Sequence, residues 1–286
     1  MKRTVREGRC MGSPLRLTLA GIREHEADRA WSLVSDVFRS ADRELSRWDA
    51  KSALSRLNAS MGQAVAVPPL LRRALATAWR AFRVTDGRFD PRIIGALEAA
   101  GERAGVPLPP SPTVLSPHDR WISVCGARVR LDAPVDLGGI GKGLALRWST
   151  ATLRRAGHCD FLLQAGGDVV ARGLGPGGQP WTVGLEDPGG AATPLTTIEL
   201  RDAALATSSI GVRHWFAADG SLRHHLIDPA TGSPADPVWL SVTVMAPDPA
   251  WAEVASKVGF LAGSGIGSAL AGLPAWWVGP DHALVG

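Results

Sequence analysis

The chain contains no tyrosine and only three cysteines in 286 residues. Cys10, Cys125 and Cys159 lie far apart and form no C-x-x-C pair. That spacing excludes a zinc ribbon and offers no disulfide framework, so free, partly buried thiols in a reducing compartment are expected. No stretch reaches the roughly 18 consecutive apolar residues of a membrane-spanning helix, so no membrane insertion is expected. Residues 1–10 carry charges but lack the apolar region of about 7–15 residues that a secretory signal or a lipidated cysteine needs. A cytoplasmic location follows as an expectation. Charge of one sign is also scarce: the net charge is +4, carried by scattered arginines, which does not argue for nucleic acid. A basic patch around an anionic cofactor would account for the excess equally well. There is no G-x-S-x-G nucleophile elbow and no repeat of 20–50 residues.

What is present is ordinary for a globular protein that buries a real core: 45% hydrophobic and 20% charged residues. No flexible linker divides the chain, and residues 1–286 are read as a single domain. Residues 14–20 alternate as a half-buried strand. Residues 27–57 carry apolar side chains at helical spacing, with the long helix ending near Ser46-Arg47-Trp48-Asp49. A second short helix is expected over 52–58, with Asn58 as its C-terminal cap. A further helix spans 68–84, followed by a turn over 85–91. Residues 101–117, rich in Pro and Gly, predict a loop, and 121–131 a hairpin turning at Gly126. Residues 135–137 predict a short strand that enters the glycine cluster Gly138–Gly143, with a helix running on to about 156. Residues 161–170 predict one buried strand interrupted by two glycines. Strands are expected over 181–185, 195–200, 203–208 and 239–246. A strand over 224–228 runs into a Pro/Gly turn. Pro249 caps a helix to about 261, and a strand pair over 275–285 closes the chain. Helices first and strands later favour an α+β protein on a largely antiparallel sheet.

Four groups of residues could carry chemistry. The first is the cluster Gly138-Gly139-Ile140-Gly141-Lys142-Gly143, where glycines permit close approach of backbone to a ligand and a helix start favours an anion. It is neither a P-loop, which needs Ser or Thr in place of Gly143, nor a G-x-G-x-x-G fingerprint. A plain turn with a solvated lysine explains the same residues. Gly166-Gly167-Asp168 forms a second glycine cluster, and two such clusters favour a shared cleft. The second group is His225-x-x-Asp228-Pro229-x-Thr231-Gly232. Here a histidine can exchange protons near neutral pH, while an Asx-type turn is the structural alternative. His224 faces the other side of the strand. Glu253 and Lys257, four apart on one helix face, form either a salt bridge or a pair near a phosphate. Trp48 and Phe89 either stack on a flat ring or belong to the core.

Taken in order, these pieces resemble the ApbE family of FAD-dependent protein flavinyltransferases. The matching segments are Met11-Gly12-Ser13, Leu45 to Asp49 with Ser52 to Asn58, and Asp86-Gly87-Arg88-Phe89-Asp90-Pro91. They continue through Asp136–Gly143, Ala165-Gly166-Gly167-Asp168, and Ala206 to Ser209 with Arg213. The last are His225–Gly232 and Ser241 to Val244 with Ala252–Lys257. The resemblance implies an ApbE-like (T-fold-like) α+β fold of largely antiparallel sheets with packed helices and FAD between its two parts. It implies binding of FAD and Mg²⁺, and movement of FMN from FAD to a Thr or Ser hydroxyl of an acceptor protein with release of AMP. Two alternatives are an FAD diphosphatase, giving FMN and AMP, and a catalytically degenerate flavin-nucleotide-binding protein.

The same resemblance assigns His225 and Asp228 to catalysis, with His225 at the reacting phosphate in proton transfer or orientation. It assigns Met11, Ser52, Asn58, Phe89, Asp90, Lys142, Gly166, Gly167, Asp168, Ser209, His225 and Thr231 to the nucleotide pocket. The metal positions are Gly139, Glu253 and Lys257. The last two depart from the family, which usually has Asp and Thr there. A protonated lysine cannot ligate Mg²⁺, so its ammonium is expected to stand in for part of the metal's charge. Ser209 replaces a usual Gly, and Arg147 an Asp.

Overall fold

The architecture is that of a computed structural model, and it describes every residue except 1–2, 104, 109–113, 115, 218–219, 237 and 264–271. Part of the expected 101–117 loop therefore lies outside the described residues. Strands β1 (Arg3–Cys10) and β2 (Ser13–Ala20) form a hairpin whose turn at Met11-Gly12 takes positive φ of 51° and 72°. Only charges were legible in β1, because half of its residues are exposed along a sheet edge, where charge guards against unwanted pairing. Helix α1 (Glu24–Leu45) buries Ala27, Ala30, Val34, Phe38, Ala41 and Leu45, the stripe that its 3.6-residue period places on one face.

Helix α2 (Ala53–Ala59) starts at Ser52, whose Oγ accepts from the Ser55 N–H at 2.9 Å. Asn58 lies inside this helix and is not its cap. A buried ladder runs from its side chain instead: Nδ2 donates to the Val135 carbonyl at 2.9 Å and Oδ1 accepts from the Val135 N–H at 3.0 Å. Residues 135–137 are consequently not the expected strand, since Val135 bonds a side chain in place of a neighbouring strand. Strand β3 (Val65–Ala66), helix α3 (Pro69–Val84), helix α4 (Ile94–Ala99) and the hairpin β4 (Ile122–Cys125) and β5 (Arg128–Leu131) complete the first half. Helix α4 is short and was not expected.

Helix α5 (Gly141–Arg155) leads to β6 (Phe161–Ala165) and β7 (Asp168–Arg172). These are two antiparallel strands turning at Gly166, φ 60°, where one interrupted strand was expected. A continuous apolar run does not reveal a reversal when both strands are buried on both faces. The chain continues through a ribbon, β8 (Trp181–Leu185) and β9 (Thr196–Leu200), then β10 (Ala204–Ser209). Two small hairpins follow, β11 (His214–Phe216) with β12 (Leu222–His224), and β13 (Ile227–Asp228) with β14 (Ser233–Pro234). Strand β15 (Ser241–Ala246), helix α6 (Pro249–Leu261), β16 (Ala275–Val278) and β17 (Leu284–Val285) end it.

One eight-stranded antiparallel sheet, ordered β1-β2-β6-β7-β10-β15-β16-β17, organises the molecule. Side chains alternate across it. Leu163 and Val170 join the main core with α1, α3, α5 and α6, whereas Leu162, Val169 and Ala171 meet Trp181, Leu185, Ile198 and Leu200 of the β8–β9 ribbon. The sheet is thus covered on both faces.

Helix α6 is capped by Asp248, whose Oδ1 accepts from Ala250 N at 2.9 Å and Trp251 N at 3.1 Å, while Pro249 occupies the first helical position rather than the cap. Asp248 also receives a two-pronged contact from Arg147 of α5, at 2.6 and 2.7 Å. The two helix starts meet at Gly143. A Cβ there would stand 2.6 Å from Ala250 Cα and from the Pro249 carbonyl oxygen. Gly143→Ala is accordingly expected to cost about 1–3 kcal/mol through overpacking against backbone. A urea midpoint lowered at unchanged slope would register it; a midpoint equal to wild type would contradict this contact.

Candidate functional site

A concavity of about 1550 Å³ opens where β6–β7, β10, α5 and α6 meet the loops after α1, α4 and β10. It exceeds the roughly 300–1,000 Å³ of common small-molecule sites, so it suits a long ligand. At its base the first turn of α5 presents Lys142, the β6–β7 turn presents Asp168, and α6 presents Glu253 and Lys257. Lys142 Nζ lies 2.6 Å from Asp168 Oδ2 and 2.8 Å from Glu253 Oε1. The other Glu253 oxygen accepts from the Gly143 N–H at 2.8 Å. Asp168 Oδ1 accepts from Thr207 N at 3.3 Å. Lys257 Nζ is more loosely placed, 3.8 Å from Glu253 Oε1.

Burial opposes charge on all four groups. For Lys142 the facing carboxylates of Asp168 and Glu253 outweigh it, and the ammonium is held above the usual lysine range. Glu253, despite burial, is held below the usual carboxylate range by Lys142 and Lys257. Burial pushes Asp168 up and Lys257 down. This donor set does not fit a divalent cation. Two carboxylates are present, but one ammonium bridges both of them and a second stands beside Glu253. Among the described residues no three His, Cys, Asp or Glu side chains converge as a metal group.

His225 lies between β12 and β13 on the cavity wall. Its Nδ1 is 3.1 Å from the Arg213 carbonyl, which can only accept, so Nδ1 carries the proton and Nε2 keeps a lone pair. Burial, then the nearby charges of Lys257 and Arg213, pushes the ring down to about 3. His224 points away, with Nε2 3.0 Å from the Ala235 carbonyl and its ring edge-on to Phe260.

A second ionic group also lines the cavity. Glu102 receives both Arg47 and Arg213, and Arg47 Nε reaches Asp136 Oδ2 at 3.0 Å. Asp136 in turn accepts from Gly138 N at 2.7 Å, so one amide of the glycine cluster is already spoken for. Arg47, Arg103 and Arg213 surround the Trp48 ring at 3.8, 5.3 and 5.8 Å. Trp48 is 41% exposed and lines the cavity, whereas Phe89 is core at 4%. Sequence reasoning missed Arg47, Asp136 as an acceptor, and Glu102. Arg47 beside Trp48 was the available signal; nothing local marks Glu102.

Of the residues assigned from sequence, Met11, Lys142, Gly166, Gly167, Asp168, Ser209, His225 and Lys257 share this wall. Others do not line it. Ser52 and Asn58 are buried braces, Ser52 Oγ donating to the Ser46 carbonyl at 2.5 Å. Asp90 is buried against Arg92, accepting at 2.6 and 3.0 Å. Gly139 stands behind the Lys257 stem, next to Phe89. Glu253 sits beneath Lys142 and is 1% exposed. Asp228 makes the Asx turn, its Oδ1 accepting from Ala230 N at 2.9 Å, and Thr231 is exposed within it. Polar residues in a motif serve equally as ligand contacts or as backbone partners, and spacing does not separate the two. Cys10 is half-buried and Cys125 and Cys159 are exposed, all three free. Among the described residues no helix is long and apolar enough to cross a membrane.

Comparison with known proteins agrees with this geometry. The model of the ApbE family matches residues 11–275. An FAD:protein FMN transferase of Rhodobacter capsulatus is 31% identical over 265 residues, covering 88% of this chain and 50% of its own length. The chain therefore spans half of that relative. The corresponding protein of Klebsiella pneumoniae (strain 342) is 27% identical over 260 residues, covering 85% of this chain and 74% of the other. Among solved structures, the ApbE protein of Thermotoga maritima superposes with a TM-score of 0.84 at 25% identity, covering 99% of this chain and 96% of that one. The flavin transferase ApbE of Vibrio cholerae gives 0.81 at 21% identity, with 99% and 96% covered, a likeness of fold.

The His225 environment sets a pH dependence. Unfolded histidine titrates near pH 6.5, at a value of about 6.5, and the folded ring only at about 3. Between these the unfolded chain binds more protons, so stability rises with pH across the window and this contribution is flat above it. Urea midpoints measured from pH 4.5 to 7.5 should rise less steeply in His225→Gln than in wild type. A ¹⁵N resonance assigned to the His225 imidazole and titrating near pH 6.5 in the folded protein would contradict the assignment.

Proposed function

The chain belongs to the ApbE family, and from that premise we propose that it is an FAD:protein FMN transferase acting on a Thr or Ser hydroxyl of an acceptor protein. What carries the reading is one large cavity lined by His225, Lys257 and the Gly166-Gly167-Asp168 turn together. An elongated dinucleotide suits such a space. Its diphosphate meets the ammonium of Lys257 and the imidazole of His225, and Trp48 with its arginines offers a flat, cationic surface farther along.

The acceptor oxygen attacks the FMN-side phosphorus. A new P–O bond forms to the acceptor, the bridging P–O bond to AMP breaks, and the hydroxyl proton is taken up. Transfer of this kind depends on positioning and on charge neutralisation more than on covalent help. His225 Nε2, the ring nitrogen left free by the Arg213 carbonyl, is the proton acceptor or orienting group. In the unliganded chain burial and neighbouring cations make that nitrogen a weak base. A bound diphosphate reverses the sign of the local field and raises its basicity. Asp228, whose Oδ1 accepts from the Ala230 N–H, holds the turn that follows the His225 segment.

Incubating the protein with FAD and an acceptor protein should give acceptor bearing covalent FMN, seen by mass spectrometry, together with AMP. His225→Ala should lower the transfer rate by about 10²–10⁴-fold. Transfer at the wild-type rate in that variant would remove His225 from the reaction. Stoichiometric FMN and AMP without any acceptor would make water the acceptor instead.

A further inference from the structure

The four charged groups at the cavity base are not equivalent. Lys142 is committed, because its Nζ bridges Asp168 at 2.6 Å and Glu253 at 2.8 Å and is needed to hold two buried carboxylates together. Glu253 is equally committed, its second oxygen being fixed by the Gly143 N–H. Lys257 is different. Its one carboxylate neighbour within 4 Å among the described residues is Glu253, at 3.8 Å, and the side chain lines the cavity. Its stem lies against the glycine turn, with Cε 3.0 Å and Cδ 3.3 Å from where a Cβ of residue 139 would stand, so glycine at 139 makes room for it. The hydroxyls that could otherwise ligate an ion on this helix face are paired, Ser256 Oγ lying 2.9 Å from Ser208 Oγ.

We propose that the Lys257 ammonium is the cation that meets the ligand's diphosphate, in place of a divalent metal ion, while Lys142 is a fixed counter-ion that does not bind phosphate. The inference rests on the flavin-dinucleotide reading for its ligand and goes further by assigning the charge that neutralises it. A divalent ion entering here would have to displace Lys142 from both carboxylates and sit beside a second ammonium. An ammonium with spare N–H donors performs the same neutralisation with no ligand cage. The ligand is then held equally well in the presence of a chelator.

Three measurements on the full chain test this. Titration with Mn²⁺ alone, followed by electron paramagnetic resonance, should show no bound ion at sub-millimolar concentration. FAD affinity by calorimetry should be the same within about twofold in EDTA and in millimolar Mg²⁺, since a change of that size is within a few tenths of a kcal/mol. In EDTA, Lys257→Met should weaken FAD by roughly 10–100-fold, the usual effect of losing a charge-assisted contact, and Lys257→Arg should recover most of it. Tight Mn²⁺ uptake, FAD binding that needs Mg²⁺, or a Lys257→Met variant that binds as wild type would each overturn the proposal. Should Lys257→Met fail to fold by circular dichroism, the two measurements on the unaltered chain decide alone. FAD bound only with Mg²⁺ would sink the role of Lys257 and leave the flavin reading intact. No binding of FAD under either condition would sink the flavin reading itself.

Discussion

The bridge from Lys142 to Asp168 and Glu253 is the contact on which the site depends. It ties the start of α5, the turn between β6 and β7, and the first half of α6, three elements far apart in sequence. None of the three charges would tolerate burial alone, since an unpaired buried ion is costly. Together they satisfy one another, and the Gly143 N–H completes the set. The close approach of α5 to α6 that Gly143 permits brings Glu253 within reach. Within the glycine cluster, Gly143 is therefore a packing device.

A second constraint acts through another ionic group of the cavity lining. Glu102 joins Arg47 and Arg213, and Arg47 continues to Asp136. The Arg213 carbonyl in turn orients the His225 ring. A chain of contacts thus runs from the segment after α1 through Glu102 and Arg213 to the imidazole, setting both the direction of Nε2 and the surroundings of Trp48. The two ionic groups differ in their balance. The lower one has two ammoniums for two carboxylates, with Lys257 loosely held. The upper one carries arginines over an aromatic face. Both leave positive charge facing the cavity, which suits an anionic ligand with planar rings.

Legibility in the sequence followed physical scale. Period-3.6 stripes in α1 and α3 and alternation in β2 and β15 depend on neighbours a few residues away, and they were readable. Strand β1 was not, because an edge strand with exposed, charged side chains leaves no apolar alternation. The reversal at Gly166 was hidden in an apolar run buried on both faces of the sheet. Ser52, Asn58 and Asp90 were assigned to the pocket because a motif names residue types, yet their partners are Ser46, Val135 and Arg92. Lys142, assigned to the nucleotide pocket, also bridges two carboxylates, one of them on a helix more than a hundred residues later.

The sequence by itself determined the α+β class, the antiparallel sheet, the family resemblance and a set of candidate site residues, because periodicity and ordered motifs are local properties. Only the tertiary structure decided which of those residues face one cavity and which brace its walls. That choice turns on distances of a few ångströms between segments far apart along the chain, where buried charge is stable only beside its counter-charge, and no local pattern encodes the pairing.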